Sequence, residues 1–320
     1  MTRVAVLDDY LRRAASLADW ESLDAEVSFF HEPLAGDALV AALEGFDVLV
    51  LMRERTAFPR EVLARLPSLR LVVTTGMRNA SLDVDHLHER GVVVAGTEGS
   101  GTSTVEVAWA LILAVAKRVV VEDRALRQGT WQTGFPAGLA GSTLGLAGLG
   151  RLGSAMVGPA RAFGMEVVAW SENLTAARAA EVGVERVSKE ELLRRADVLS
   201  IHLVSSDRTR GLFGAAELAA LKPSAVLVNT SRGPIVDEAA LIDTLRERRI
   251  AGAGLDVYDA EPLPVDHPLL ALDNVVLTPH LGYVTEAGFR EMYRQAVEDI
   301  AAFLAGAPVR RVAGSGSSDA

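Results

Sequence analysis

Between Thr143 and Ser171 the chain reads Thr-Leu-Gly-Leu-Ala-Gly-Leu-Gly-Arg-Leu-Gly, then a stretch of helical period through Phe163, then Glu-Val-Val-Ala-Trp-Ser. An apolar run that breaks into Gly148-x-Gly150-x-x-Gly153 and resumes with a 3.6-residue period predicts a strand, a tight turn and a helix N-terminus, with a second strand behind them. Such a turn cradles a pyrophosphate. Gly148 permits the sharp turn, Gly150 lets an anion approach bare backbone, and Gly153 lets helix and strand pack closely. The first N–H groups of the helix, at Arg151 and Leu152, point at the ligand and its dipole favours negative charge.

A chain of 320 residues is long for one domain, so two domains with separate cores are expected. The net charge of −10 argues against a broad basic face for nucleic acid and directs attention to small molecules and to other copies of the chain. The absence of cysteine excludes disulfides, thiolate nucleophiles and thiolate metal sites. Charged Arg3, Asp8 and Asp9 interrupt the N-terminus before a secretory signal can develop, and the longest uncharged apolar run, Val107 to Ala116, is too short to span a bilayer. A cytoplasmic protein with no membrane partner is the resulting expectation.

Taken in order, strands are expected at 3–7, 27–30, 47–51, 69–74 and 91–95, with helices near 11–18, 37–43, 59–66 and 83–89 between them. This is a flavodoxin-like alternation. The Gly, Ser and Thr of 97–102 suggest a hinge, and 104–127 one long apolar helix. A second βα array follows from about Leu144, with strands at 167–170, 184–187, 198–201, 225–229, 253–257 and 275–278, and a last helix at 286–304 long enough to return to the first array. The fold class is therefore α/β, with two doubly wound parallel-sheet domains. A discontinuous substrate domain comprises 1–100 plus 287–312, a Rossmann-type cofactor domain 101–286, and 313–320 form a flexible tail.

Ligands in open α/β sheets bind beyond the C-terminal strand ends. Past three late strands stand Thr230-Ser-Arg232, Asp256-Val-Tyr-Asp-Ala-Glu261 and Thr278-Pro-His280-Leu-Gly282. A guanidinium matches a carboxylate bidentately, an imidazole exchanges a proton near neutral pH, and an adjacent carboxylate favours the imidazolium. Arg232 would orient a 2-keto acid, His280 would protonate its carbonyl oxygen as hydride arrives, and Glu261 would keep His280 charged. Asp256 is placed at the nicotinamide carboxamide, with Thr230 and Gly282 also on the cofactor.

Together these motifs, with Asn229-Thr-Ser-Arg-Gly-Pro-Ile-Val-Asp237 and Gly254-Leu-Asp-Val-Tyr258, resemble the D-isomer-specific 2-hydroxyacid dehydrogenase family, which includes phosphoglycerate dehydrogenases and glyoxylate or hydroxypyruvate reductases. The resemblance covers almost the whole chain. It implies two domains closing on a cleft, Arg232, Glu261 and His280 as catalytic set, NAD or NADP as cofactor, and a homodimer joined through the cofactor domains. Formate dehydrogenases of the superfamily carry glutamine where Glu261 stands, which speaks against formate. A corepressor-like NAD(H) sensor without turnover is the alternative, disfavoured because a sensor need not keep a proton donor.

The sequence departs from the family pattern in three places. Ser171, followed by Glu172 and Asn173, stands where an Asp for the adenosine ribose is usual, with no arginine beside it, so NAD is favoured over NADP. The family's glycine-rich substrate loop reads Thr75-Gly76-Met77-Arg78-Asn79-Ala80, whose backbone N–H groups at Gly76, Met77 and Arg78 suit a carboxylate. Glu106 is followed by Val107 where a His is frequent. Arg53 matches an arginine that phosphoglycerate enzymes direct at the far end of the substrate. His86 and His88 lie two apart on different helix faces, and no metal is expected.

Overall fold

The computed structural model describes residues 1–99 and 101–314. They divide into two compact units, Met1–Ser100 with Thr285–Ala320, and Gly101–Val284. Beyond Ala313 and Gly314 the expected tail lies outside the described residues.

In the first unit, strands β1 (Thr2–Val6), β2 (Ala25–Phe29), β3 (Val48–Leu51), β4 (Leu71–Thr74) and β5 (Val93–Gly96) pair in parallel in the order β2-β1-β3-β4-β5. That is the flavodoxin-like order, with its reversal between β1 and β3. β3 and β4 are buried along their whole length, because helices cover both faces. The helix expected at 11–18 shrinks to Ala14–Leu17. The long helix Glu286–Leu304 joins this unit, capped by the Thr285 hydroxyl on the Gly288 N–H and packing Tyr293 edge-on to Trp20 at 5.7 Å.

The second unit holds β6 (Thr143–Ala147), β7 (Glu166–Trp170), β8 (Glu185–Arg186), β9 (Val198–Ile201), β10 (Val226–Asn229), β11 (Gly252–Leu255) and β12 (Val275–Leu277), all parallel, in the order β12-β11-β10-β9-β6-β7-β8. The order reverses between β6 and β9. Their register is level: Ala147 pairs with Ile201 and Trp170, Ile201 with Asn229, Asn229 with Leu255, and Leu255 with Leu277. The residues that follow, Gly148, Ser171, His202, Thr230, Asp256 and Thr278, therefore stand in one row along the C-terminal edge.

Two helices expected to be continuous are each divided in two. The segment 104–127 is two helices, Thr102–Ala116 and Val119–Arg127, because Arg118 takes a left-handed φ of 56° and breaks the ladder. The Ala137 N–H then takes the carbonyl of Ala116, and Lys117 Nζ bonds Ala137 O. The helix after the glycine turn also divides, into Arg151–Ala155 and Val157–Ala162, where Pro159 lacks the N–H to bond the carbonyl of Ala155.

Candidate active site

The cradle sits at the strand-order reversal. Gly148 has φ of 102°, a Cβ there would lie 2.5 Å from the carbonyl oxygen of His202, and a Cβ on Gly153 would lie 2.1 Å from that of Gly148. Both contacts are with backbone, so the helix can approach the β6–β9 seam only where these two side chains are missing. A Cβ on Gly150 would meet nothing within 4 Å, which leaves that face of the turn open. Gly153→Ala is expected to abolish dinucleotide binding and to lower the melting temperature. Calorimetric titration with NADH and a thermal melt check both.

Other features of the row fit a bound dinucleotide. The Thr230 hydroxyl oxygen is buried and has no hydrogen-bond partner among the described residues. A buried hydroxyl rarely stays unpaired, and a ligand at the edge would satisfy it. Burial drives the His202 imidazole down to about 4, so it stays neutral, with Nε2 2.9 Å from the Ser200 hydroxyl. The turn after β7 is held by Leu174 N–H on Ser171 O and by Arg186 Nε on Leu174 O, at 3.1 and 2.6 Å. Cradle, row and turn suit a nicotinamide dinucleotide, which when bound supplies the hydride.

Past β10, β11 and β12 come the three polar segments. Asn229 orders the first by donating from Nδ2 to Arg232 O at 2.9 Å and accepting the Ser231 N–H at 3.0 Å, while Arg232, half-buried, donates to Ser231 O at 2.7 Å. Glu261 and His280 meet directly: Nδ1 of the ring lies 2.6 Å from Oε2, with the side chains 16% and 25% exposed for His280 and Glu261 respectively. The other carboxylate oxygen accepts the Tyr258 N–H at 3.0 Å. With Nδ1 committed to the acid, Nε2 is the ring atom left to face a ligand. His280 itself has a left-handed φ of 53°, and the Tyr283 ring stands edge-on to it at 5.3 Å.

Asp256, expected at the nicotinamide, is fully buried and takes three internal donors. The Thr278 hydroxyl (2.6 Å) and the Leu281 N–H (2.7 Å) bond one oxygen, and the Gly282 N–H (2.8 Å) the other. Burial pushes its carboxyl above the ordinary range, against the pull of those bonds. Asp256 thus clamps the loop that carries His280, and the Gly282 carbonyl is held in turn by the Thr104 hydroxyl at 2.7 Å. Sequence reasoning missed Gly233, whose Cβ would lie 2.1 Å from the Tyr258 carbonyl carbon. That packing joins the Arg232 loop to the Glu261 loop, and only the placement of a glycine directly after Arg232 hinted at it.

In the first unit, Arg53 follows β3 with φ of 55°, its N–H on the Thr75 hydroxyl and NH1 on Thr75 O at 3.1 Å. A Cβ on Gly76 would lie 2.2 Å from that guanidinium, and the Gly76 N–H donates to Thr97. Arg53 and Gly76 are thereby brought together, while Met77 and Arg78 are exposed beside them. Among the described residues no His, Asp and Glu side chains gather as a metal site, and no helix is long and apolar enough to cross a membrane.

Residues 109–282 match the family model described as D-isomer specific 2-hydroxyacid dehydrogenase, NAD binding domain. The chain is 40% identical over 294 residues to a glyoxylate reductase of Aeropyrum pernix, covering 88% of this chain and 87% of that protein. It is also 40% identical over 273 residues to a D-3-phosphoglycerate dehydrogenase of Mycobacterium bovis, spanning 84% of this chain but only 51% of that longer protein. The crystal structure of a phosphoglycerate oxidoreductase from Vibrio cholerae superposes with a TM-score of 0.90 at 35% identity, over 96% of this chain and all of the other. With its nucleotide cradle at the strand-order reversal and these likenesses along most of its length, the chain belongs to the D-isomer-specific 2-hydroxyacid dehydrogenase family.

Proposed function

We propose that the chain transfers hydride between NAD(H) and a small 2-keto acid, yielding the D-2-hydroxy acid, with Arg232, Glu261 and His280 as the reacting set. The 2.6 Å bond between His280 and Glu261 carries this reading. Glu261 fixes the ring orientation and compensates the charge of the imidazolium, so that Nε2–H can donate to the carbonyl oxygen as it becomes an alkoxide. Arg232 pairs its fork with the substrate carboxylate and draws electron density from the adjacent carbonyl. In the reverse direction the same Nε2 accepts the hydroxyl proton.

On this reading Gly148, Gly150, Arg151, Leu152 and Gly153 bind the pyrophosphate, Ser171 the ribose, and Thr230 the nicotinamide side. Asp256 and Gly282 support them by fixing the His280 loop. Arg53, Gly76, Met77 and Arg78 contribute anion-binding groups for the acid substrate. NADH oxidation measured with glyoxylate, hydroxypyruvate, pyruvate, oxaloacetate and 3-phosphohydroxypyruvate tests the assignment. Turnover on at least one supports it, whereas tight NADH binding with no turnover on any contradicts it.

The homodimer is proposed to form through exposed apolar side chains of the segment 119–135 that follows the helix break. Glu122 accepts the N–H and hydroxyl of Thr133, and in the segment 119–135 Trp131 is 76% and Phe135 fully exposed, with Val119, Val120 and Leu126 exposed as well. Several exposed large apolar side chains within one short segment suit an association surface. The double change Trp131→Glu and Phe135→Asp is expected to halve the mass measured by light scattering on a sizing column. A wild-type monomer contradicts the proposal.

A further inference from the structure

Glu238 opens the helix Glu238–Arg246, directly after the N-cap Asp237, whose carboxylate takes the Ala240 N–H at 3.0 Å and whose own N–H donates to Phe213 O at 3.1 Å. Its backbone is therefore fixed. Its two carboxylate oxygens reach two points of one loop: Oε2 accepts the Asp259 N–H at 3.2 Å, and Oε1 lies 3.1 Å from Nε2 of His267. Because His267 Nδ1 accepts the Leu269 N–H at 3.4 Å, the ring proton sits on Nε2 and is donated to Glu238. One carboxylate thus ties together both ends of the segment 259–267, and Glu261 lies inside it. The segment buries little of itself: Asp259, Ala260, Pro262, Pro264 and Asp266 are exposed, while Leu263, half-buried, packs against the core. A loop so exposed gains little order from burial and must be held by its hydrogen bonds. From the other side, a Cβ on Gly233 would lie 2.6 Å from the Asp259 nitrogen, the same atom that donates to Glu238. The short stretch 232–238 therefore carries the substrate guanidinium at one end and the clamp on the Glu261 loop at the other.

We infer that Glu238 is a positioning residue for proton transfer: by holding Asp259 and His267 it sets the Glu261 carboxylate against the His280 ring. The assignment rests on the reaction proposed above. Glu238 acts through Glu261 and not on the substrate, so its effect is on how well the acid stays 2.6 Å from Nδ1. The charges around it carry a local cost. Burial, and then the neighbouring Glu238 charge, push the Asp259 carboxyl above its ordinary range, with Asp237 adding to them and Arg210 and His267 pulling the other way. Like charges gathered beside a reacting pair, where a stability optimum would disperse them, point to a functional reason for the carboxylate.

The test is steady-state reduction, across pH, of a 2-keto acid that the wild-type chain turns over, using Glu238→Ala, Glu238→Gln, Glu261→Gln and the double variant Glu238→Ala with Glu261→Gln. NADH affinity and a thermal melt are measured for each. In Glu238→Ala kcat is expected to fall about ten- to hundredfold, the scale of a misplaced reacting group, with NADH affinity nearly intact. The alkaline limb of its profile should move towards lower pH, because the carboxylate that favours the imidazolium is no longer held in place. Glu238→Gln keeps an oxygen for the Asp259 N–H but presents an amide to the His267 Nε2–H, so it should fall between wild type and Glu238→Ala. In the Glu261→Gln background the added Glu238→Ala change is expected to cost about twofold or less, since the group it positions is already gone. Should Glu238→Ala melt below the assay temperature, the isosteric Glu238→Gln decides by the same loss and the same shift of profile. An unchanged kcat and profile, an undiminished loss in the Glu261→Gln background, or a fall in kcat matched by a fall in NADH affinity overturns the assignment alone. A wild-type chain that binds NADH but turns over no 2-keto acid overturns the proposed reaction and this assignment with it.

Discussion

Replacing His280 by alanine is expected to lower turnover with a 2-keto acid by roughly two to four orders of magnitude while leaving NADH affinity nearly intact, the usual span for a lost general acid. The direction follows from geometry. The ring lies past β12, with Nδ1 held by Glu261, and its loop is closed by Asp256 through Thr278, Leu281 and Gly282, bonds that involve no atom of the His280 side chain. Truncation therefore removes the proton donor and leaves the loop in place. Because His280 has a left-handed backbone, His280→Asn is the companion variant, since asparagine tolerates that region better than alanine. Both should show the same loss in pre-steady-state hydride transfer. Undiminished turnover in either variant refutes the role.

A second large effect is expected at Arg232. Removing the guanidinium leaves a substrate carboxylate without its partner, a loss of roughly 2–5 kcal/mol in transition-state binding, or on the order of 30- to several-thousand-fold in kcat/KM. The fold should survive Arg232→Ala, since the bond that Asn229 makes to this residue goes to its backbone carbonyl. Arg232→Lys restores charge without the planar fork, so it should recover KM in part and kcat less. Steady-state kinetics of the two variants beside wild type decide this. Equal KM and kcat in all three would remove Arg232 from the substrate.

Much of the fold was legible because helices and strands in a doubly wound sheet announce themselves by period. The strands recur within a few residues of their expected places, and the glycine turn marks the seam at which the order reverses. Arg118 was not legible, since an arginine with positive φ leaves no compositional trace. Glu261 and His280 could be placed near each other in advance because each follows one of two adjacent strands, β11 and β12. The burial of Asp256 could not, because its three donors are a hydroxyl and two N–H groups from a loop more than twenty residues away.

The level register of β6, β9, β10, β11 and β12 explains how groups far apart in sequence come to share one edge, and why the loops there are restrained by bonds from neighbouring loops. A site built on strand ends inherits the rigidity of the sheet, which hydride transfer needs because the donor and acceptor carbons must be held in contact. The buried, neutral His202 and the Thr230 hydroxyl, which has no hydrogen-bond partner among the described residues, belong to the same edge.

The most direct test of the central claim is a crystal structure of the chain with NAD and oxamate, an unreactive analogue of a 2-keto acid. The account predicts the oxamate carboxylate on the Arg232 fork and its carbonyl oxygen within hydrogen-bond distance of His280 Nε2, with Glu261 still on Nδ1. An imidazole turned away from the oxamate, or an analogue bound without Arg232, would contradict it.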